Sequence, residues 1–240
     1  LGLPRPTDFV LNGGSRLYAA SWKGGQYRYG GEQIGYIARL TYPGAKPSQV
    51  PDIKGASDAR LVELVASDNQ VHRRYAQHEL VRRGPTEERI AQLEKRVLGA
   101  GSPAGRVSAL FTLKQLAGAG SHPVLVKAAA DASLREFALR ALADRREELA
   151  NVPKGLFLQA LGDANPRVQL QAITGLKRLG AVDAAGALLP LTASADPVVP
   201  HVAIDALVSL GASEAALGVL TSANASPAVT TGALRVLQQL

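Results

Sequence analysis

Small and apolar residues recur on a helical spacing along most of this chain. Ala76, Ala109, Ala138, Ala172, Ala203 and Ala233 stand 33, 29, 34, 31 and 30 residues apart. Each is followed four positions later by leucine, at Leu80, Leu113, Leu142, Leu176, Leu207 and Leu237. Residues four apart share one helix face. Pro103, Pro166, Pro197 and Pro227 precede four of the alanines by six positions, where the first turn of a helix needs no backbone donor. One apolar stripe per helix at a period near thirty predicts a stacked array of helix pairs. Asp58 and Asn69 read as helix starts, and Asp163, Asn165 and Asp196 as caps. Gly180 and Gly211 read as helix ends at equivalent places. The later pairs are predicted at 87–98 with 104–117, 123–130 with 133–143, 154–161 with 166–179, 184–191 with 197–210, and 213–220 with 227–240. Arg145-Arg146-Glu147-Glu148 falls in the one place where the period stretches.

Residues 1–42 follow another rule. Phe9-Val10-Leu11, Asn12-Gly13-Gly14 and Leu17-Tyr18-Ala19-Ala20 read as strand, tight turn and strand, with Asn-Gly supplying positive φ. Ile34–Tyr42 reads as a third strand, after a glycine-rich loop bracketed by Gly24-Gly25 and Gly30-Gly31. Prolines at 43, 47 and 51 mark residues 43–56 as an extended linker. The predicted fold is mostly α: an α-solenoid of about six helix pairs over 57–240, preceded by a small antiparallel β segment over 1–42. Three strands alone bury too little to stand, so this segment reads as one blade of a larger β structure.

Charge and composition narrow the partners. The 240 residues carry a net charge of +7, and the excess sits at the front: residues 1–100 hold 15 Lys/Arg against 10 Asp/Glu, residues 151–240 hold 5 against 5. Such a surplus suits an acidic protein partner or an anionic surface. Nucleic acid is not the expected partner, because a dense basic helix and basic–aromatic interleaving are both missing. There is no cysteine, which excludes disulfides, thiolate metal sites, c-type haem attachment and cysteine nucleophiles within this chain. There is also no methionine, even at position 1, so a mature or excised piece is expected. No apolar run reaches the length of a membrane span.

Candidate chemistry is sparse. His72 and His78 are six apart and do not share a helix face, whereas a metal pair on a helix wants three or four. His201 and Asp205 are four apart and read as a surface pair. Glu87-Glu88, Asp144 and Glu147-Glu148 read as solvated or dipole-complementing charges rather than an acid–base pair. Gly13-Gly14 and Gly24-Gly25 lack the Gly-Lys-Ser/Thr of a phosphate loop. No catalytic, metal or cofactor site is expected in this chain. Trp22 is a candidate contact residue, although a tryptophan plugging the space between strands and helices is the plainer reading. Positions two before, two after and five after the repeated alanine fall on the opposite face. They include Arg74, His78, Lys114, Arg140, Lys177 and Arg235, a discontinuous basic ridge able to dock an acidic partner.

Asp163-Ala-Asn-Pro-Arg-Val-Gln-Leu-Gln-Ala172 resembles the Asp-x-x-x-x-Val-x-x-x-Ala pattern of short HEAT repeats, of the kind also seen in phycobilisome-lyase-type proteins. The front is similar to the last blade of a sugar-dehydrogenase-like β-propeller, through Arg5-Pro6-Thr7-Asp8, Gly14–Trp22 and Gly35–Arg39. His72–Gly84 is similar to the first repeat after such a propeller. Together they resemble the secreted planctomycete-type proteins that join propeller, HEAT repeats and cytochrome c module, described as membrane-bound dehydrogenases or haem-binding proteins. The resemblance implies a non-catalytic interaction and scaffold module of a periplasmic or extracellular multidomain protein. Alternatively the chain is a fragment of a redox enzyme whose active site lies elsewhere, or a nucleic-acid-binding HEAT protein.

Overall fold

The computed structural model describes residues 5–23 and 34–240. The readings of Gly24-Gly25 and Gly30-Gly31 lie outside the described residues. Two compact units follow one another, Leu1–Gln92 and Leu93–Leu240.

In the first unit, β1 (Asp8–Leu11), β2 (Leu17–Trp22) and β3 (Gly35–Leu40) form an antiparallel sheet in the order β1-β2-β3. Leu11 pairs with Leu17, and Leu17 with Leu40. The first turn differs from the Asn-Gly expectation: the positive φ falls on Ser15, at 58°. Asn12 instead closes the loop with its side chain, whose Oδ1 accepts from the Gly14 and Arg16 amides at 3.0 Å each. The two glycines are there for space. A Cβ on Gly14 would lie 3.3 Å from the Ser48 carbonyl oxygen, and one on Gly13 3.3 Å from Val50. Residues 48–50 therefore return across the turn, and the Ser48 amide donates to the Gly14 carbonyl at 3.1 Å.

Helices α1 (Asp58–Val65) and α2 (Gln70–Arg83) pack together in the same unit. Ser57, rather than Asp58, caps α1, while Asn69 caps α2 as expected. Asn69 also ties the helix to the sheet: its Nδ2 donates to the Gly13 carbonyl and to Ser15 Oγ, both at 3.1 Å. His72 donates from Nε2 to the same Gly13 carbonyl at 2.6 Å. Helix α3 (Glu87–Leu98) crosses the border between the units.

The second unit continues with α4 (Pro103–Ala117), α5 (His122–Ala128), α6 (Arg135–Leu142), α7 (Lys154–Ala160), α8 (Pro166–Arg178), α9 (Ala185–Leu188), α10 (Val199–Ser209), α11 (Ser213–Thr221) and α12 (Pro227–Leu237). The second helix of each pair lies beside the next in sequence order, α4 on α6, α6 on α8, α8 on α10 and α10 on α12. This is an α-solenoid. All six repeated alanines are fully buried, as are Leu80, Leu113, Leu142, Leu176 and Leu207. Small residues at the crossings let the backbones approach, and the leucine one turn on fills the space. Gly180 and Gly211, at φ 63° and 66°, end α8 and α10 as Schellman turns, with the Ala181 and Ala212 amides returning to the Leu176 and Leu207 carbonyls. The helix expected at 184–191 is shorter. Only Ala185–Leu188 is α, flanked by 3-10 turns at Val182–Ala184 and Leu189–Ala193, because Pro190 has no amide to continue the ladder.

Candidate functional site

The second-helix face of the Leu93–Leu240 unit, built by α4, α6, α8, α10 and α12, is a candidate surface. An aromatic and cationic cluster joins α4 and α6 on it. The rings of Phe111 and Phe137 meet edge to face with centroids 6.4 Å apart, and the Arg140 guanidinium carbon stands 5.9 Å from the Phe111 centroid. Both rings are half-buried and Arg140 is exposed. A guanidinium over an aromatic face, beside a second ring, is a ready anchor for a partner side chain. These phenylalanines went unread in the sequence, although Phe111 stands two after Ala109, a position assigned to the exposed face.

Further along the face, charges neutralise one another. Arg167 of α8 holds Glu136 of α6 with two bonds of 2.9 and 2.8 Å. Lys177 reaches Asp205 of α10 at 2.6 Å. Asp205 is therefore engaged across helices rather than with His201, as its spacing had suggested. Arg140 and Arg235 are exposed and have no carboxylate partner among the described residues, so the face keeps a positive surplus.

Lys114 does not belong to it. It is 1% exposed, with Nζ donating to Glu148 Oε2 at 2.5 Å and to His122 Nε2 at 3.0 Å. Arg145 adds a bond to Glu148 Oε1 at 2.9 Å. An ammonium donating to Nε2 requires the His122 proton on Nδ1 and a neutral ring. Burial first, and the Lys114 charge second, push the His122 pKa below its ordinary value. Burial pushes the Glu148 carboxyl up, but hydrogen bonds from Lys114 and Arg145 outweigh it and hold it low. The stretched connection after α6 thus folds back over Lys114 and removes it from the ridge.

Arg74 and His78 belong to α2 in the first unit, where both are exposed. They flank Tyr75: the Arg74 guanidinium carbon is 5.3 Å from its ring centroid, and the His78 ring meets it edge to face at 6.5 Å. Trp22 is half-buried at the end of β2, opposite Gly35. No cluster of three metal-ligating side chains occurs among the described residues. A cleft of about 420 Å³ between α5, α6 and α7 holds one ion pair, Arg135 with Asp163.

That ion pair belongs to a device the sequence reading missed. The residue three before the repeated alanine ties down the end of the preceding helix. Arg73 donates to the Ser67 and Asp68 carbonyls, Arg106 to Val97, Arg135 to Ala129 and Ala130, and Gln169 to Asp163. Arg106 and Arg135 also reach forward to Asp131 and Asp163 of the next repeat, at 2.7 and 2.6 Å. The signal was arginine recurring at one repeat position.

A family model described as HEAT repeats matches residues 154–238. No curated protein matches the chain. Among solved structures, an engineered protein is 19% identical over 77% of this chain and 98% of its own, with a TM-score of 0.48. A designed armadillo repeat protein is also 19% identical, over 77% of this chain and all of its own, at 0.48. Another designed armadillo repeat protein, in complex with the peptide (KR)4, is 18% identical over 77% and 99%, at 0.47. This chain is a helical-repeat protein.

Proposed function

We propose that the chain is a protein-binding scaffold module that takes an acidic segment carrying an apolar or aromatic side chain along the second-helix face of the Leu93–Leu240 unit. The carrying observation is the Phe111–Phe137 pair with Arg140 above it, exposed and without a carboxylate partner. Aromatic residues, phenylalanine among them, and arginine are enriched at the cores of known interfaces. Helices α4, α6, α8, α10 and α12 lie side by side, which offers an extended track rather than a cleft for chemistry. Placement inside a larger secreted protein goes with this reading. It rests on the resemblance of residues 1–42 to a propeller blade, and cell fractionation of the source organism tests it.

Panning a random peptide library against the intact chain tests the binding. Acidic segments with an aromatic residue should be enriched, and Arg140→Glu/Arg235→Glu should lose them about tenfold or more, with binding that weakens as salt rises. Enrichment of basic peptides, or unchanged binding by the reversed protein, overturns the proposal.

A further inference from the structure

A second feature, independent of the helical face, lies at the end of the sheet in the first unit. A cavity of about 660 Å³ opens there, within the range of sites that hold small molecules. Leu11, Leu17 and Leu40 form a cross-strand row in its lining. Leu11 is 49% exposed, so a strand residue that would ordinarily be covered meets water. The same lining contains Arg16, Arg39 and Lys46. All three are exposed, and none is in an ion pair among the described residues. Elsewhere in the same unit, Arg60, Arg82, Arg83 and Arg89 each hold a carboxylate. Three cations around one concavity, with no acid among them, concentrate positive potential where low-dielectric walls focus it.

One of the cations, Arg39, is positioned by the ladder, and Arg16 by the turn that enters it. Arg39 stands opposite Tyr18, and Arg16 directly precedes Leu17, the central leucine of the row. Lys46 comes from the segment that leaves β3, as does Tyr42, which is 70% exposed and also lines the cavity. An inorganic anion would use the cations and leave the leucines wet. A neutral apolar molecule would cover the leucines and leave the cations without partners. We infer that this site binds an amphiphilic anion, a molecule with a carboxylate or phosphate at one end and an aliphatic or aromatic body at the other. The head pairs with Arg16 and Lys46, and with Arg39 round the end of the sheet, through charge-assisted bonds, and the body lies on Leu11, Leu17 and Leu40.

Four ten-carbon probes separate the terms: decanoate, decyl phosphate, decanol and decyltrimethylammonium, titrated as monomers into the intact chain by calorimetry. The two anions should bind saturably at one site, about tenfold or more tighter than the alcohol and the cation, and more weakly at high salt. Inorganic phosphate alone should compete poorly. Arg16→Ser/Arg39→Ser should lose the anions, and Leu11→Ser should weaken them while leaving the weak response to inorganic phosphate unchanged. These side chains are exposed, so circular dichroism and melting of the variants should match the parent. A membrane lipid offers the same head and tail, so phosphatidylcholine vesicles with and without phosphatidylglycerol are run in parallel. Retention on the anionic vesicles that Arg16→Ser/Arg39→Ser abolishes, together with monomer binding, identifies a lipid as the source. Monomer binding alone identifies a free amphiphile. Equal affinity for decanol and decanoate, full binding by the arginine double variant, or vesicle retention without saturable monomer binding overturns the inference.

Discussion

Glu148 is the only carboxylate bonded to the buried Lys114 ammonium among the described residues, and it takes a further bond from Arg145. Removing one member of a buried ion pair strands the other, which costs about 3–5 kcal/mol, whereas replacing both by apolar residues of similar size is often neutral. Glu148→Gln should therefore destabilise the chain by about 3 kcal/mol, and Lys114→Met/Glu148→Leu should recover most of that loss. Denaturant midpoints of the three proteins measure both. A single helix wheel could not place Lys114 inside, because its burial depends on residues more than thirty positions later. The 34-residue interval between Ala138 and Ala172 was visible, but not where the extra chain goes. His72 is similar: its bond to a hairpin carbonyl 59 residues away has no local signature.

The helices themselves were legible, since alanine and leucine four apart report a buried face whatever lies against it. What escaped was anything depending on a neighbouring element. Gly175 and Gly232 interrupt good helical sequence because a Cβ there would strike the Phe157 ring and the Thr192 side chain. The arginine three before the repeated alanine is the clearest inter-element device. Arg135 serves two carbonyls ending the preceding helix and Asp163 of the following repeat. Arg135→Ala leaves those acceptors without their donor, and a loss of about 1–3 kcal/mol is expected. Thr230→Ala, at the equivalent position of the last pair, should cost well under half of that, because Thr230 makes only a bond within its own helix. Urea midpoints of the two variants give the comparison.

Across the whole chain, carboxylates held by cations set the response to acid. Hydrogen bonds from Arg82 and Arg83 lower Glu79 from 4.5 to about 2. Bonds from Ser133 and Arg106 lower Asp131 from 3.8 to about 2. Asp58 is lowered chiefly by Arg89, and Asp163 by the Asn165 amide and then Arg135. A carboxyl depressed in the folded chain stays charged while the unfolded chain takes up protons, so its stabilisation is complete above the ordinary value and fades as pH falls towards the folded one. His122, also depressed, acts in the same direction from its ordinary 6.5 downward. The melting temperature should be level above about pH 6.5 and fall progressively from about pH 4.5 to 2. Glu79→Gln should lower the plateau and flatten the acid limb, as thermal melts against pH would record. At this scale the sequence could deliver an array and its charge balance. The partner-facing chemistry was less legible, since Phe111, Phe137 and Arg140 come together only when two repeats stack.

The arginine staples are unevenly distributed. They occur at positions 73, 106 and 135, give way to glutamine at 169, and are replaced by Pro200 and Thr230 in the last two pairs. Within the Leu93–Leu240 unit the early pairs are thus cross-braced and the late ones rest on side-chain packing alone at this position. Mechanically, such an array should behave as a spring of graded stiffness. A load applied along it should be taken up first around α10 and α12, where this brace is missing, and the Phe111–Arg140 anchor should stay in register.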